Sequence, residues 1–595
     1  MLPTPQVSAA RKRVALAAFL VLLGYTGYRG NTDHSPGRAA LDLQGRMHFK
    51  EVASELGIDF HHTPPSIDPA VENIAAQITA VGAAVSVTDA NSDGQPDIYV
   101  VSSGHETQNA LFINRGDGSF EEVAREAGLA DLNRDGAGCS MGSIWADIDN
   151  DGDEDVFVYT WGQSRLFRNE GQLRFTDITS GSGLERWMNS NAATFLDFDR
   201  DGRLDLFVAG YFREELDLWD LETTSIMHDS FEYSHNGGAN RLYRGNGDGT
   251  FVDVTEASLP EDHRWTYAAV AADFDRDGWQ DLYIANDYGE EELLLNRQGA
   301  RFEFAEDIGV DGESKSGMCA ALGDVSGNGR LCVYVTNISK RGYLFQGNNL
   351  RAAYLDKGGK MLQLARGPAV DCGWAWGAQF ADFDNDGHQD LVVTNGFISA
   401  SKERDYWYQM SKLGLATGDV IADAAKWPAF EDRSLSGYER TRVLHNLGLK
   451  GAHFREVGLE VGVDDVYDGR GVAVADLFGT GRLDIVIANQ NGPLLVYRNE
   501  SSTEAHWISF DLVGTVSNRS ALGAEVILEV AGRKQIRVVT AACGFSSQND
   551  HRLHFGLGSE FEASTLDVLL RWPSGREERR TDLEIDRVHR IEEPR

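Results

Sequence analysis

Cysteine is scarce in these 595 residues. There are five (Cys139, Cys319, Cys332, Cys372 and Cys543), and no two form a CxxC pair. That spacing excludes an ordinary zinc cage. An odd count leaves at least one thiol unbridged within the chain, and a chain this long needs no disulfide scaffold. One bridge, Cys319–Cys332, is open if both residues sit in strands flanking one loop. Proline is scarce too, 13 residues against 64 glycines. Many turns without proline suit an all-β chain with tight connections. Positive charge is in deficit: 55 Lys and Arg face 92 Asp and Glu, a net charge of −37. Such a chain repels nucleic acid and anionic membrane surfaces and attracts cations. Long apolar runs are missing except for Val14–Tyr28, which follows Arg11-Lys12-Arg13. As a helix this run would span about 22 Å, short of the ~30 Å hydrocarbon core, and no small-x-small cleavage site follows it. It reads as a signal-anchor or an atypical signal peptide. The bulk of the chain is then secreted, periplasmic or at the cell surface, with membrane contact only through that segment. G-x-S-x-G, H-E-x-x-H and P-loop motifs are absent, and Gly136-x-Gly138 is too short to bind a nucleotide. No catalytic set emerges, so no enzyme is expected.

What the chain does have is a repeat, D-x-[DN]-x-D-G-x-x-D. Its cage positions are Asp89, Asn91, Asp93 and Asp97 in the first copy and Asp147, Asp149, Asp151 and Asp155 in the second. They are Asp197, Asp199, Asp201 and Asp205 in the third, and Asp273, Asp275, Asp277 and Asp281 in the fourth. The last intact copy has Asp382, Asp384, Asp386 and Asp390. Two copies have decayed, at Asp324 to Cys332 and at Asp476 to Asp484. Short apolar runs rich in β-branched and aromatic residues flank each copy, such as Ile98–Val101 and Leu391–Val393, and these read as strands. Two further elements recur in step. One is F-x-x-V/I, beginning at Phe49, Phe120, Phe175, Phe251, Phe302 and Phe454, with a weak copy near Leu362. The other is N-x-L-F/Y-x-N-x-G, as at Asn109–Gly116 and Asn240–Gly247. Seven units of about four strands predict an all-β fold, a seven-bladed β-propeller followed by a small C-terminal β-sandwich.

The loop has the chemistry of a calcium cage. Calcium takes six to eight oxygen ligands at about 2.3–2.6 Å. Alternate positions 1, 3 and 5 of a tight loop converge, position 7 offers a carbonyl, position 9 closes the cage, and Gly at position 6 permits the turn. Nineteen aspartates in five intact loops repel one another without a cation. About five calcium sites are expected. Magnesium is disfavoured by its strict octahedral geometry. The two decayed loops are expected to be plain turns.

These repeats resemble the FG-GAP/VCBS repeats of the integrin α-chain propeller, over about residues 49–500. The C-terminal part carries Leu512-Val-Gly-Thr-Val-Ser-Asn518, Gly544-Phe-Ser-Ser-Gln548, Leu553-His-Phe-Gly-Leu-Gly558 and Arg571-Trp-Pro-Ser-Gly575. It is similar to the ASPIC/UnbV domain. The combination resembles the cartilage acidic protein family and its bacterial members. That resemblance implies calcium binding and an extracytoplasmic setting, and it implies no established reaction. Animal members add a Cys-rich EGF-like module, which five scattered cysteines cannot supply.

The expected organisation is an N-terminal signal segment over 1–30, a linker over 31–46, the propeller over 47–500 and the C-terminal domain over 505–595. Two units carry insertions between their last two strands, at about 212–239 and 397–446, expected on the face opposite the loops. They hold Trp219, Phe231, Tyr233, Tyr406, Trp407, Tyr408 and Trp427. Two arrangements are open: exposed rings that bind a protein or glycan, or rings packed in a cap. His61-His62 follows the first strand and is expected to be exposed. The sequence favours a calcium-binding scaffold for adhesion or for a protein or glycan partner. Its rivals are a polysaccharide lyase or hydrolase and an accessory protein of a natural-product pathway.

Overall fold

A computed structural model describes residues 46–595 except 135, 310–314, 357, 415–417 and 503. The expected signal segment lies outside the described residues. Among the described residues no helix is long and apolar enough to cross a membrane.

Seven sheets, each built on a four-stranded antiparallel meander, arise from residues 49–499, and two of them carry a fifth strand: Trp187–Asn189 in one and Ser547–Gln548 in the other. Blade 1 runs Ala84–Thr88, Asp97–Val101, Ala110–Asn114 and Phe120–Glu122. Blades 2 to 6 repeat this order, with innermost strands at Gly138–Ala146, Ala192–Leu196, Trp265–Ala272, Ala321–Gly323 and Ala375–Ala381. Blade 7 takes Gly469–Ala475, Asp484–Asn489 and Leu495–Asn499, and borrows its outermost strand, Phe49–Glu51, from the N-terminal end. Phe49 lies opposite Asn499. The sequence unit is therefore offset from the blade by one strand, and each F-x-x-V/I strand finishes the preceding blade. The innermost strand of blade 1 also packs beside that of blade 7, so the propeller-like ring meets itself.

The strands form where they do because each blade is covered on both faces by its neighbours. Ala84–Thr88 and Asp205–Ala209 are buried at every position, which suits near-continuous apolar runs rather than alternating ones. One apolar layer joins blades 7 and 1 through Val87, Val100, Phe112, Val486 and Val496. The recurring Asn of L-F/Y-x-N fastens the blades polarly. Asn114, Asn169, Asn296, Asn446 and Asn499 each donate from Nδ2 to the position-2 carbonyl of the preceding blade's loop: Leu477, Ala90, Phe198, Val325 and Phe383, at 2.7–3.1 Å.

The C-terminal domain is a sandwich of a three-stranded and a four-stranded sheet. In the first, His506–Val513 lies between Leu553–Gly558 and Val588–Glu592. In the second, the order is Arg533–Val538, Glu525–Val530, Thr565–Arg571 and Glu577–Glu584. Between Val538 and Leu553 the chain leaves the sandwich and enters the centre of the ring. Ser547–Gln548 pairs in parallel with Val85–Ser86 of blade 1. Gln548 accepts from Trp145 N and donates to Trp145 O in blade 2. Ser546 Oγ donates to Asn191 O beside blade 3, and the fully buried Phe545 ring meets Tyr267 of blade 4 edge-on. Gly544 exchanges backbone bonds with Ala320 at blade 5, Gln379 of blade 6 donates to Cys543 O, and Val474 N of blade 7 donates to Asn549. The segment touches all seven blades as a plug. Gly544 has φ +92°, and a Cβ there would lie 2.8 Å from Gln379 Nε2 and 2.9 Å from Ala378 O.

Two expectations are corrected. All five cysteines are free and buried, so the Cys319–Cys332 bridge does not form; the hairpin register sets Cys332 opposite Gly323. His62 is buried at 1 % exposure, held between Ser103 Oγ and Asn491 N. Burial lowers its pKa to about 3. The His61 ring turns instead to the His62 carbonyl, so the two rings do not form a pair.

Candidate metal centres on the loop face

The nine-residue loops all join the first strand of a blade to its second, so they gather at one end of the ring. Their backbone is held by their own carboxylates. In blade 2, Asp147 accepts from Asp151 N at 3.0 Å and Gly152 N at 2.8 Å. Asp155 accepts from Ile148 N at 3.0 Å and reaches Asn169 N of the third strand at 2.7 Å. The same four bonds recur around Asp89 and Asp97, Asp197 and Asp205, Asp273 and Asp281, and Asp382 and Asp390. Position 9 is therefore a strut to the third strand as well as a cage wall. We expect Asp205→Ala, which orphans Phe198 N and Gly245 N, to cost about 2–4 kcal/mol in urea unfolding even under chelator. Wild-type stability would show that position 9 serves the cation alone.

Ligand oxygens at positions 1, 3 and 9 converge. In Asp147/Asp149/Asp155, Asp197/Asp199/Asp205 and Asp273/Asp275/Asp281 they lie within 4.8 Å of one another, the span that two ligands about 2.4 Å from one calcium would have. Asp149 Oδ1 and Asp199 Oδ1 are buried with no hydrogen-bond partner, an arrangement that calls for an explanation. Position 5 stands apart in these three loops: Asp151, Asp201 and Asp277 accept from the N–H two residues on. In blade 1 Asn91 stands in the cage, its amide donating to Asp93.

Burial, reinforced by neighbouring carboxylates, raises the position-1 and position-9 aspartates. Asp147, Asp197 and Asp273 are pushed up to about 7, and Asp97 and Asp155 to about 8. Burial also raises Asp149, Asp199 and Asp275. A cation held there would supply the opposite charge.

Blade 6 differs. Asp384, Asp386 and His445 gather there, with His445 Nδ1 3.0 Å from Asp390 and Arg46 3.2 Å from Asp384. Arg244 sits 2.9 Å from Asp199 in blade 3. Sequence reasoning missed these cationic neighbours. The signal available for His445 and Arg244 was the variable residue of L-F/Y-x-N, just before Asn446 and Gly245. The decayed loops keep the turn, with Asp476 bonded to Thr480 N and Gly481 N and Asp324 to Gly329 N.

Position 4 was also missed. Ser92, Asn150, Arg200, Arg276 and Asn385 all have φ between 57° and 66°, a left-handed conformation uncommon for non-glycine residues. It turns these side chains out of the cage, and four of them meet the C-terminal domain. Asn150 accepts from Arg519 N at 2.8 Å, Arg200 donates to Pro573 O at 2.9 Å, Arg276 pairs with Glu525 at 2.5 Å, and Asn385 meets His554 at 2.7 Å. Arg552 bonds Gly94 O in blade 1, Lys534 N bonds Gly327 O in blade 5, and Trp507 packs against Gly481 in blade 7. The domain thus rests on all seven loops.

This architecture is that of a repeat propeller with a loop-face cover. The FG-GAP-like repeat matches residues 89–158, 147–208, 232–284 and 273–335, and ASPIC and UnbV matches 514–595. The chain carries FG-GAP-like repeats and a C-terminal ASPIC/UnbV domain. The loops at Asp382 and Asp476 lie beyond those stretches yet build the same blade. The chain is similar to cartilage acidic protein 1. It is 30 % identical to the Homo sapiens protein over 34 % of this chain and 28 % of that one. It is 24 % identical to the Xenopus tropicalis protein over 73 % and 71 %, and 28 % identical to the Mus musculus protein over 37 % and 31 %. The match thus spans less than a third of the human and mouse proteins. A solved lectin of Agrocybe aegerita overlays loosely, with a TM-score of 0.36 at 16 % identity over 69 % of this chain and 87 % of that one.

Proposed function

We propose that this chain is an extracytoplasmic calcium-binding scaffold, not an enzyme, that presents a protein- or glycan-binding face opposite its loops. The observation that carries this reading is the convergence of carboxylates at positions 1, 3 and 9 within 4.8 Å in three loops. Calcium there would fix the loops whose position-4 side chains seat the C-terminal domain, so cation binding and domain docking support each other. Blades 1 and 6 supply the other two expected sites, with Asn91 and His445 as their variations.

The binding face is formed by the insertions, each joining the second strand of its blade to the third. Tyr406, Trp407 and Trp427 are buried within this cap, whereas Tyr233 and Tyr408 are 56 % and 64 % exposed. The insertions also hold each other: Met227 N donates to Ala422 O and Thr224 Oγ1 to Asp423.

The test is metal content and thermal unfolding of residues 44–595. We expect four to five calcium ions per chain after dialysis into calcium, and a midpoint several degrees above that in chelator. Saturating one site at a hundred times its Kd stabilises by about 2.7 kcal/mol. Magnesium should give little shift, and Asp275→Asn, which removes a position-3 ligand, should remove one ion. A midpoint indifferent to every cation would leave the loops as turns. Release of reducing ends or unsaturated products from a polysaccharide panel would overturn the non-catalytic reading.

A further inference from the structure

A cavity of about 430 Å³ opens on the face opposite the loops, within the usual range for small-molecule sites. Its floor is the inner end of the channel, where Tyr267 and Trp376 lie against Phe545 of the plug. Its mouth carries Tyr343, 54 % exposed, and Leu344, 37 % exposed. The walls are aromatic and pre-packed. Tyr211 stacks on Tyr267 with ring centres 4.4 Å apart and meets Trp265 at 5.0 Å. Trp374 stacks on Phe397 at 4.3 Å, and Tyr267 meets Trp376 at 5.8 Å, joining the two groups.

The charge in this wall has one sign. Asp287, 5 % exposed, faces the cavity, accepting from Tyr211 Oη at 3.1 Å and Tyr288 N at 3.0 Å. Glu232 lies at the exposed rim, and among the described residues no Lys, Arg or His lines the space. The nearby Arg470 lies behind the wall, 4.0 Å from the Trp376 ring, and gives its protons to the carbonyls of Ala80, Gly396, Gly469 and Phe397. Two lining side chains, Gln77 and Gln346, have amide oxygens without hydrogen-bond partners. An anion entering here would lose its water with no positive partner, which is costly. A cation would meet ring faces and a carboxylate, both attractive in a desolvated site.

We propose that this cavity is a binding site for a small organic cation carrying an alkylammonium group, held over the aromatic wall and paired with Asp287. The site is remote from the loops, so its occupancy can be read separately from the calcium reading.

The experiment uses the calcium-equilibrated full chain and two probes of nearly equal shape, choline and its neutral carbon analogue 3,3-dimethylbutan-1-ol. Binding is followed by tryptophan emission and calorimetry. Choline is expected to bind with a Kd in the millimolar range or below, at least tenfold tighter than the neutral analogue, and Asp287→Asn should weaken it at least tenfold. The probe comparison needs no variant, so it stands even if Asp287→Asn misfolds. Equal binding of the two probes would make the cavity merely apolar and overturn the proposal, as would no binding of choline at ten millimolar. Choline binding that survives chelation unchanged would support the site even where the calcium reading had failed.

Discussion

A chain ending at Glu504 is expected to lose the cooperative unfolding transition of the full chain, with urea-unfolding circular dichroism as the measurement. The reason lies in the plug. Removing it strips partners from Trp145 N and O, Ala320 N and O, Val85 N, Val474 N and Asn191 O, all at the innermost strands or beside them. Each buried group left alone costs about 1–3 kcal/mol, and together they rival a whole domain's stability of about 5–15 kcal/mol. Water entering the channel would restore part of that, but it cannot replace Phe545 against Tyr267 and Trp376. A single change, Phe545→Ala, should therefore cost about 3–5 kcal/mol while leaving the loops untouched. A truncated chain unfolding at the full-length midpoint would show that the ring stands without its plug.

In chelator, the thermal midpoint is expected to fall as pH rises from 5 to 8, by roughly 5–10 °C given the size of the chain. With calcium present, the fall should vanish. The sign follows from the direction of the shifts. Asp147, Asp197 and Asp273 titrate near 7 when folded and Asp97 and Asp155 near 8, against about 3.9 unfolded. A raised carboxyl binds its proton more tightly in the fold. Its contribution is fully present below about pH 4 and is lost as pH climbs through 7 to 8. Calcium replaces the protons, so its affinity should rise over the same window. A chelated midpoint that is flat or climbs from pH 5 to 8 would mean that the cages are hydrated enough to ionise freely.

The ring and its loops were legible because their signals are local and repeated. Asp at positions 1 and 9 recurs because each copy makes the same bonds to nearby N–H groups, and the short apolar runs recur because every blade is covered on both faces. The offset between repeat and blade was not legible, since nothing within Phe49–Glu51 says that its partner is Leu495–Asn499. Nor was the plug. In the sequence Gly544-Phe-Ser-Ser-Gln548 is only one motif of the C-terminal domain, and its meaning comes from seven strands elsewhere in the chain. The inner aromatics escaped for a similar reason. Tyr267, Trp374 and Trp376 look like ordinary strand residues until the ring brings them around one space. The paired histidines misled because a loop position was expected to leave them exposed, whereas His62 is drawn into the join between blades 7 and 1.

The borrowed strand has a consequence for how the molecule comes into being. Phe49 must wait for Asn499, and the innermost strands must wait for Cys543–Asn549, so the last blade is incomplete until Asn499 exists and the hub until Asn549 does. Contacts so far apart along the chain make for slow closure. Early blades would stand with bare edges in the meantime, open to pairing with another chain. The molecule is thus safest if it begins folding late, and its assembly is governed less by any blade than by the meeting of Phe49–Glu51 with Leu495–Asn499.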